Sequence, residues 1–475
     1  MRKILLFSVF ALALCSCKGL LDENPQAISS LNYYNTPEEI QAGVNAIYSG
    51  FRNTNVFGAV YIAMRECKSD LWEKGRNTYL PISQYTALSS TGITRAGTVW
   101  TQLYTSIRNA NIVIQKIPEA SETSEADKNL LMAEARFMRG LGYMHLVRTF
   151  GAIPLRTEAN LDDIECPRSP VSEVYSFILE DLKFAEQYLP ETVATRGHPT
   201  KYSAKTALAD VYFFTNDYAS AAAKTKEVMS SGKYSLVEIS SPDEFDLLYG
   251  PGVNTAEEVF YLRYNTEDGF GLVTYYHGTD KMYTLNSGSL SNITNKNYPA
   301  IAEWDDADFR KTYDLYTYKG LDATAGEGAL LCNKFRDTGS ENARNSCPMY
   351  KYSDVLLMYA EASCRAQNGP TAEGMEAVNM VHRRAYGKPS TEKSDIDYNL
   401  SDYTKDSFID LCLKERGYET FGEGKRWLDI IRAGKEVELV RKYRNASIEQ
   451  SAYLWPIPVV ELQTNKAITE QNPGY

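Results

Sequence analysis

Between Lys201 and Gly232 the chain sets small residues and tyrosines at a spacing that admits few arrangements. Ala209 and Tyr212 stand three apart on one predicted helix, Asn216-Asp217-Tyr218 supplies a turn, and Ala221 opens a second predicted helix ending at Gly232. Small side chains let two helices approach closely and tyrosine rings fill the gap beside them, which is the construction of a tetratricopeptide hairpin. Tyr350 to Tyr386 repeats the pattern, with Tyr359-Ala360-Glu361-Ala362 on its first helix and Ala377 on its second. About a hundred residues separate the two, so they are not tandem, and many αα-hairpins reach this spacing by packing alone.

Other helices are read from apolar periodicity. Thr36-Pro37-Glu38-Glu39 reads as a helix start, with an N-cap hydroxyl, proline at the first position and early acids; Ile40, Val44, Ile47 and Phe51 then build one face. Val99 to Ile117, Ala126 to Phe150, Val171 to Leu189 and Lys405 to Gly417 are predicted likewise. Residues 236–345 lose this period and are rich in Gly, Asn, Thr, Ser and Tyr. Long irregular runs inside compact chains usually carry function. The fold class expected is mainly α: tetratricopeptide-like helical hairpins with a loop-rich, partly irregular lobe facing the ligand. Two domains are expected, 37–235 and 236–475, the second holding the loop-rich insert 236–345.

The first residues bear on compartment. Arg2 and Lys3 precede an apolar run from Ile4 to Leu14, far short of the about 20 residues that span a bilayer, so residues 1–16 read as a signal peptide. Leu14-Cys15-Ser16-Cys17 has lipoprotein-box spacing. Cys17 is the expected acylated residue, because Cys15 would come directly after the bulky Leu14. Residues 17–36 then form a lipid-anchored tether, and acyl chains would hold the protein to a membrane. The net charge of −11 argues against nucleic acid, which needs a basic stripe. Cys67, Cys166, Cys332, Cys347, Cys364 and Cys412 contain no C-x-x-C pair, and only four histidines are present, so neither a metal site nor a cofactor is expected. Cys332 with Cys347 is the pair to test for a disulfide, against the simpler reading of single buried thiols.

Catalytic signatures are missing: there is no H-E-x-x-H helix, no G-x-S-x-G elbow and no phosphate loop. Acid pairs such as Asp162-Asp163 and Asp305-Asp306 are ordinary in a chain with 61 acids, and His145 sits among Met144, Leu146 and Val147 as a core residue would. No enzyme is expected. A glycan site needs flat rings for apolar sugar faces, ringed by polar side chains for the hydroxyls. Two segments offer that mixture. In the first, Trp72 and Tyr79 would stack while Asp70, Arg76 and Asn77 bond hydroxyls. The second is Tyr275-Tyr276-His277, with Tyr283 and Asn286 nearby. Trp304 and Trp427 read as structural.

Several stretches, in order, carry a wider resemblance: Trp100-x-x-x-Tyr104-x-x-Ile107-x-x-Ala110-Asn111, Ala133-Glu134-Ala135-Arg136-Phe137-Met138-Arg139-Gly140, and Phe150-Gly151-Ala152-Ile153-Pro154. Asp354 to Ala362, Lys414 to Glu419, Glu423 to Arg432 and Gln471-Asn472-Pro473-Gly474-Tyr475 continue it. Together, after a lipoprotein signal, they resemble the SusD/RagB family across nearly the whole mature chain. The resemblance implies four tetratricopeptide-like hairpins and a place on the outer face of an outer membrane. It also implies a SusC-like TonB-dependent transporter as partner, an oligosaccharide ligand, and no catalysis. Relatives draw ligand residues from loops corresponding to the two segments above. Peptide capture, as in the RagB branch, and a structural lid without a ligand of its own stay open. Glu134, Arg136, Glu415, Arg416 and Arg426 read as an ion-pair web rather than ligand contacts, since buried charges persist only when paired.

Overall fold

The computed structural model describes residues 34–264, 269–279, 291–319, 328–337 and 343–475. Cys17, the signal segment, most of the tether, Tyr283 and Asn286 lie outside the described residues.

Helix α1 (Pro37–Arg52) begins as its sequence dictates: the Thr36 hydroxyl accepts from the Glu39 amide and the Glu39 side chain returns to the Thr36 backbone. Ile40, Val44, Ile47 and Phe51 are buried along one face. Helix α2 (Val60–Glu66) comes second, then α3 (Ser90–Lys116), which starts at Ser90 rather than Val99. Its first turns are rich in threonine, a poor helix former. Here the hydroxyls of Thr94, Thr98, Thr101 and Thr105 donate to carbonyls one turn back, and Ser89 caps the start. Helices α4 (Glu125–Phe150), α5 (Val171–Tyr188), α6 (Lys201–Phe214) and α7 (Tyr218–Ser230) come next. The α6–α7 turn passes through Asn216 at φ 66°, and Asp217 caps α7.

The chain then leaves the helical stack for a region of short strands. One pair joins β1 (Lys74–Gly75), which precedes α3, to β3 (Asn292–Ile293). The others are β2 (Glu258–Leu262) with β6 (Cys347–Lys351), and β4 (Leu315–Tyr318) with β5 (Ala329–Cys332), all antiparallel. The short helix α8 (Leu272–Tyr276) lies in the same region. Because β2 and β6 stand near the two ends of the irregular region, their pairing returns the chain beside the point where it left. It then re-enters the stack as α9 (Tyr352–Ala366), α10 (Ala372–Ala385), α11 (Lys405–Glu419), α12 (Arg426–Arg432) and α13 (Glu436–Arg444).

In space the helices pack in series: α3 on α4, α4 on α5, α5 on α6, α6 on α7, α7 on α9, and α9 on α10 and α11. The two hairpins that lie far apart in sequence are therefore neighbours. Ala209, Phe213 and Ala221 of the first meet Met358 and Ala362 of the second in one buried cluster. The fold is mainly α, as its periodicity predicts.

All six cysteines among the described residues are free and buried, so Cys332 and Cys347 are single thiols. The ion-pair web is extensive. Arg139 pairs with Asp181 at 2.8 Å, Arg310 with Asp308 at 2.7 Å and Glu415 at 2.8 Å, and Arg384 with Glu419 at 2.6 Å and Glu257 at 3.1 Å. Arg416 pairs with Asp429 at 3.0 Å. Glu134 accepts from the Tyr48 hydroxyl and faces His198 Nδ1, each at 2.6 Å. Among the described residues no helix is long and apolar enough to cross a membrane.

Candidate functional site

The two segments singled out for aromatic and polar content meet. Helix α2 delivers the chain to Glu66, whose enclosed carboxylate organises the loop after it. Its Oε1 accepts from Trp72 Nε1 at 2.9 Å and from the Gly422 amide at 3.1 Å, and its Oε2 from the Gly424 amide at 2.8 Å. Burial pushes this carboxyl above its ordinary range, against the pull of those three donors. Gly422 and Gly424 have φ of +77° and +69°, and an added Cβ at Gly424 would fall 3.0 Å from the Ile62 carbonyl, so the turn needs glycine twice.

From there the strand pairing of β1 with β3 brings Arg76 N to the Ser291 carbonyl at 2.9 Å, and Ser291 N to the Tyr275 carbonyl at 2.8 Å. Tyr79 and Tyr275 meet edge to face at 6.2 Å, and the Arg95 guanidinium lies 4.9 Å above the Tyr79 ring while donating to Thr78 Oγ1 at 3.1 Å. The outcome is a small platform. Tyr275 and Arg76 are half-buried and Asn77, in left-handed conformation at φ 51°, is exposed beside them.

Four of the expected contacts need correction. Trp72 is 0% exposed: it stacks on Phe421 at 4.7 Å and its carbonyl accepts from Arg444 at 2.6 Å, so neither ring face is open to a sugar. Asp70, also 0% exposed, holds Arg426 through two hydrogen bonds of 2.7 and 2.9 Å. The Tyr276 hydroxyl donates to the Gly422 carbonyl at 2.7 Å, and its ring is buried. Tyr79 is buried as well, a prop behind Tyr275 rather than a face of its own. For Trp72, Asp70 and Tyr276 the common reason is the Thr420–Arg426 turn. It presents a ring, a backbone carbonyl and a guanidinium to side chains that the sequence leaves free. The turn is silent in the sequence because its signal, two glycines around Glu423, has no period.

Trp304, Trp427 and His145, read as packing residues, are packed as expected. Trp304 stacks flat on Tyr418 at 4.2 Å and donates to Asp308; Trp427 is buried against Tyr85. His145 packs edge-on against Phe57 at 4.7 Å, and burial pushes its imidazole well below the usual range, leaving it neutral. His277 is buried, with Nε2 3.0 Å from the Lys334 carbonyl. Among the described residues no cluster of His, Cys, Asp or Glu is arranged to hold a metal ion.

Comparison with known proteins decides the family. Residues 274–475 match the model described as the SusD family, and residues 28–213 match one described as starch-binding associating with outer membrane. The chain belongs to the SusD/RagB family. It is 27% identical to SusD-like protein P2 of Formosa agariphila, over 99% of both chains. The crystal structure of a SusD homolog from Bacteroides thetaiotaomicron superposes with a TM-score of 0.77 at 21% identity, covering 94% of this chain and 98% of the other. Surface glycan-binding protein A from Bacteroides thetaiotaomicron, solved in complex with laminarihexaose, superposes at 0.73 with 21% identity, covering 93% of this chain and 100% of the other. These two establish a shared fold.

Proposed function

We propose that this SusD-family chain captures oligosaccharides at the cell surface and hands them to a SusC-like TonB-dependent outer-membrane transporter, tethered to the membrane through acylated Cys17. The observation that carries the ligand class is Tyr275: a half-buried ring, propped by Tyr79, which Arg95 covers in turn, with the polar side chains of Arg76 and Asn77 beside it. A propped ring keeps its orientation before a ligand arrives, so binding costs little ordering entropy. A sugar's C–H face suits such a ring and its hydroxyls suit the guanidinium and amide. A neighbour of the same fold with laminarihexaose bound supports the reading, and the outer-membrane association named for the matched family supports the location. The site is read as one of binding rather than catalysis.

The test is a glycan and peptide array probed with purified chain beginning at Lys18. Defined oligosaccharide hits that weaken in Tyr275→Ala support the proposal. Hits confined to peptides would transfer the protein to a RagB-like role, and a blank array would leave it a lid of its transporter. For the anchor, Cys17→Ser should abolish acylation and membrane fractionation; unchanged fractionation would refute the assignment.

A further inference from the structure

A cavity of about 80 Å³ lies at the seam between the helical stack and the C-terminal helices, away from the platform. On this measure a water-sized group needs about 10–15 Å³, so there is room for several. Its wall is ionic. Five cations line it (Arg65, Arg148, Arg416, Lys425 and Arg432) against four acids, Asp210, Asp354, Glu423 and Asp429.

Four of the cations are matched. Arg148 pairs with Asp210 at 3.0 Å, Arg416 with Asp429 at 3.0 Å, Lys425 with Asp354 at 2.8 Å and Glu423 at 3.1 Å, and Arg432 with Glu361, just outside the wall, at 2.7 Å. Arg65 is the exception. Among the described residues it has no carboxylate within 4 Å; it rests 5.1 Å over the Tyr61 ring and donates weakly to that hydroxyl at 3.4 Å. His145 packs against the same ring, and neither of its buried nitrogens has a hydrogen-bond partner. The other buried groups of the wall that lack partners are three donors, Nε of Arg65, of Arg148 and of Arg432, and two acceptors on the Lys425 side, Asp354 Oδ1 and Glu423 Oε2. Buried charge and buried donors are both costly unless matched. A wall in which the half-buried Arg65 has no acid and several N–H groups are unsatisfied offers a place to an acceptor that carries one negative charge.

We propose that this cavity binds a small monovalent anion, a halide or a short carboxylate, with Arg65 supplying the charge and His145 and Arg148 the further donors. The cavity is independent of the glycan platform. Its consequence is structural: α2, α4, β6, α9 and α12 all contribute to the wall, so the anion ties the stack to the C-terminal helices.

The test uses the chain from Lys18 onward, melted at constant ionic strength while chloride, bromide, formate or acetate replaces gluconate, a much bulkier anion. A ligand that binds only the folded state raises its stability in a saturable way. A rise of roughly 2–6 °C is expected for at least one small anion, abolished in Arg65→Met and partly kept in Arg65→Lys, which retains the charge. His145→Phe should reduce it. Crystals grown in bromide should show an anomalous peak in the cavity. A flat response, an equal rise in Arg65→Met, or no bromide peak would each overturn the proposal. Should Arg65→Met fail to fold, the Arg65→Lys and His145→Phe responses and the bromide peak decide.

Discussion

Asp70 and Trp72 stand only a few residues before Arg76 and Asn77, in one segment of similar composition, and they meet opposite fates. The first two are sealed: Asp70 against Arg426 and Trp72 between Glu66 and Phe421. The second two reach the surface beside Tyr275. The difference lies in what approaches from elsewhere in the chain. The Thr420–Arg426 turn covers one half of the segment and stops short of the other. An aromatic and a carboxylate thus hold a loop so that its neighbours can be presented at fixed positions, which is the division of labour expected of a preorganised binding face.

Breaking the sealed half should have the largest effect. Asp70→Ala leaves the Arg426 guanidinium buried without its acid, a loss of about 3–5 kcal/mol, visible as a lowered denaturation midpoint. The double variant Asp70→Leu with Arg426→Met should recover most of it. No recovery would mean that Asp70 acts through something other than this pair.

Acid attacks the same interior. Burial alone would raise Glu415, Glu419 and Glu423. The cations around them, Arg310 at Glu415, Arg384 and Lys351 at Glu419, Lys351 and Lys425 at Glu423, outweigh it and hold all three below the ordinary range, Glu419 at about 2. Carboxyls held down in the folded state contribute stability above their unfolded pKa of about 4.3 and lose it as pH falls. Glu66, Glu257 and Asp314, raised by burial, add stability as pH falls toward about 4.3 and contribute no further change below it. The expected result is a loss of stability between about pH 4.3 and 2, measured by thermal melts; a stability that climbs over that range would contradict it.

Trp72→Phe is subtler. It keeps a ring on Phe421 but removes one donor from the buried Glu66 carboxylate, costing about 1–3 kcal/mol. Glycan affinity of the folded variant should change little. Arg76→Ala, on the presented half, should shift stability by less than about 0.5 kcal/mol while weakening oligosaccharide binding, the reverse of the Trp72 pattern.

How much of the molecule is legible in its sequence depends on how local the cause is. Helices α1, α4, α6, α7, α9 and α10 announce themselves by periodic apolar faces and caps that neighbouring residues supply. Helix α2 does not, because Val60, Tyr61, Ile62, Ala63 and Met64 are all buried and leave no polar face to set a period. The pairing of β1 with β3 joins two-residue strands more than two hundred positions apart, which no alternation can signal. At the platform, residue types mark both segments, and the two do meet, at Tyr79 and Tyr275. Which side chains face outward is hidden, because it depends on Gly422, Gly424 and Arg426, distant in sequence and silent in pattern.

A paired calorimetric titration and melt of wild type and Tyr275→Ala with an oligosaccharide that the array identifies tests the platform most directly. Wild type should bind, and the variant should lose about tenfold or more in affinity, as removal of an anchoring ring does, with its melting temperature nearly unchanged. A variant that binds as well as wild type would contradict this, because the platform around Tyr275 would then not be where the glycan is held.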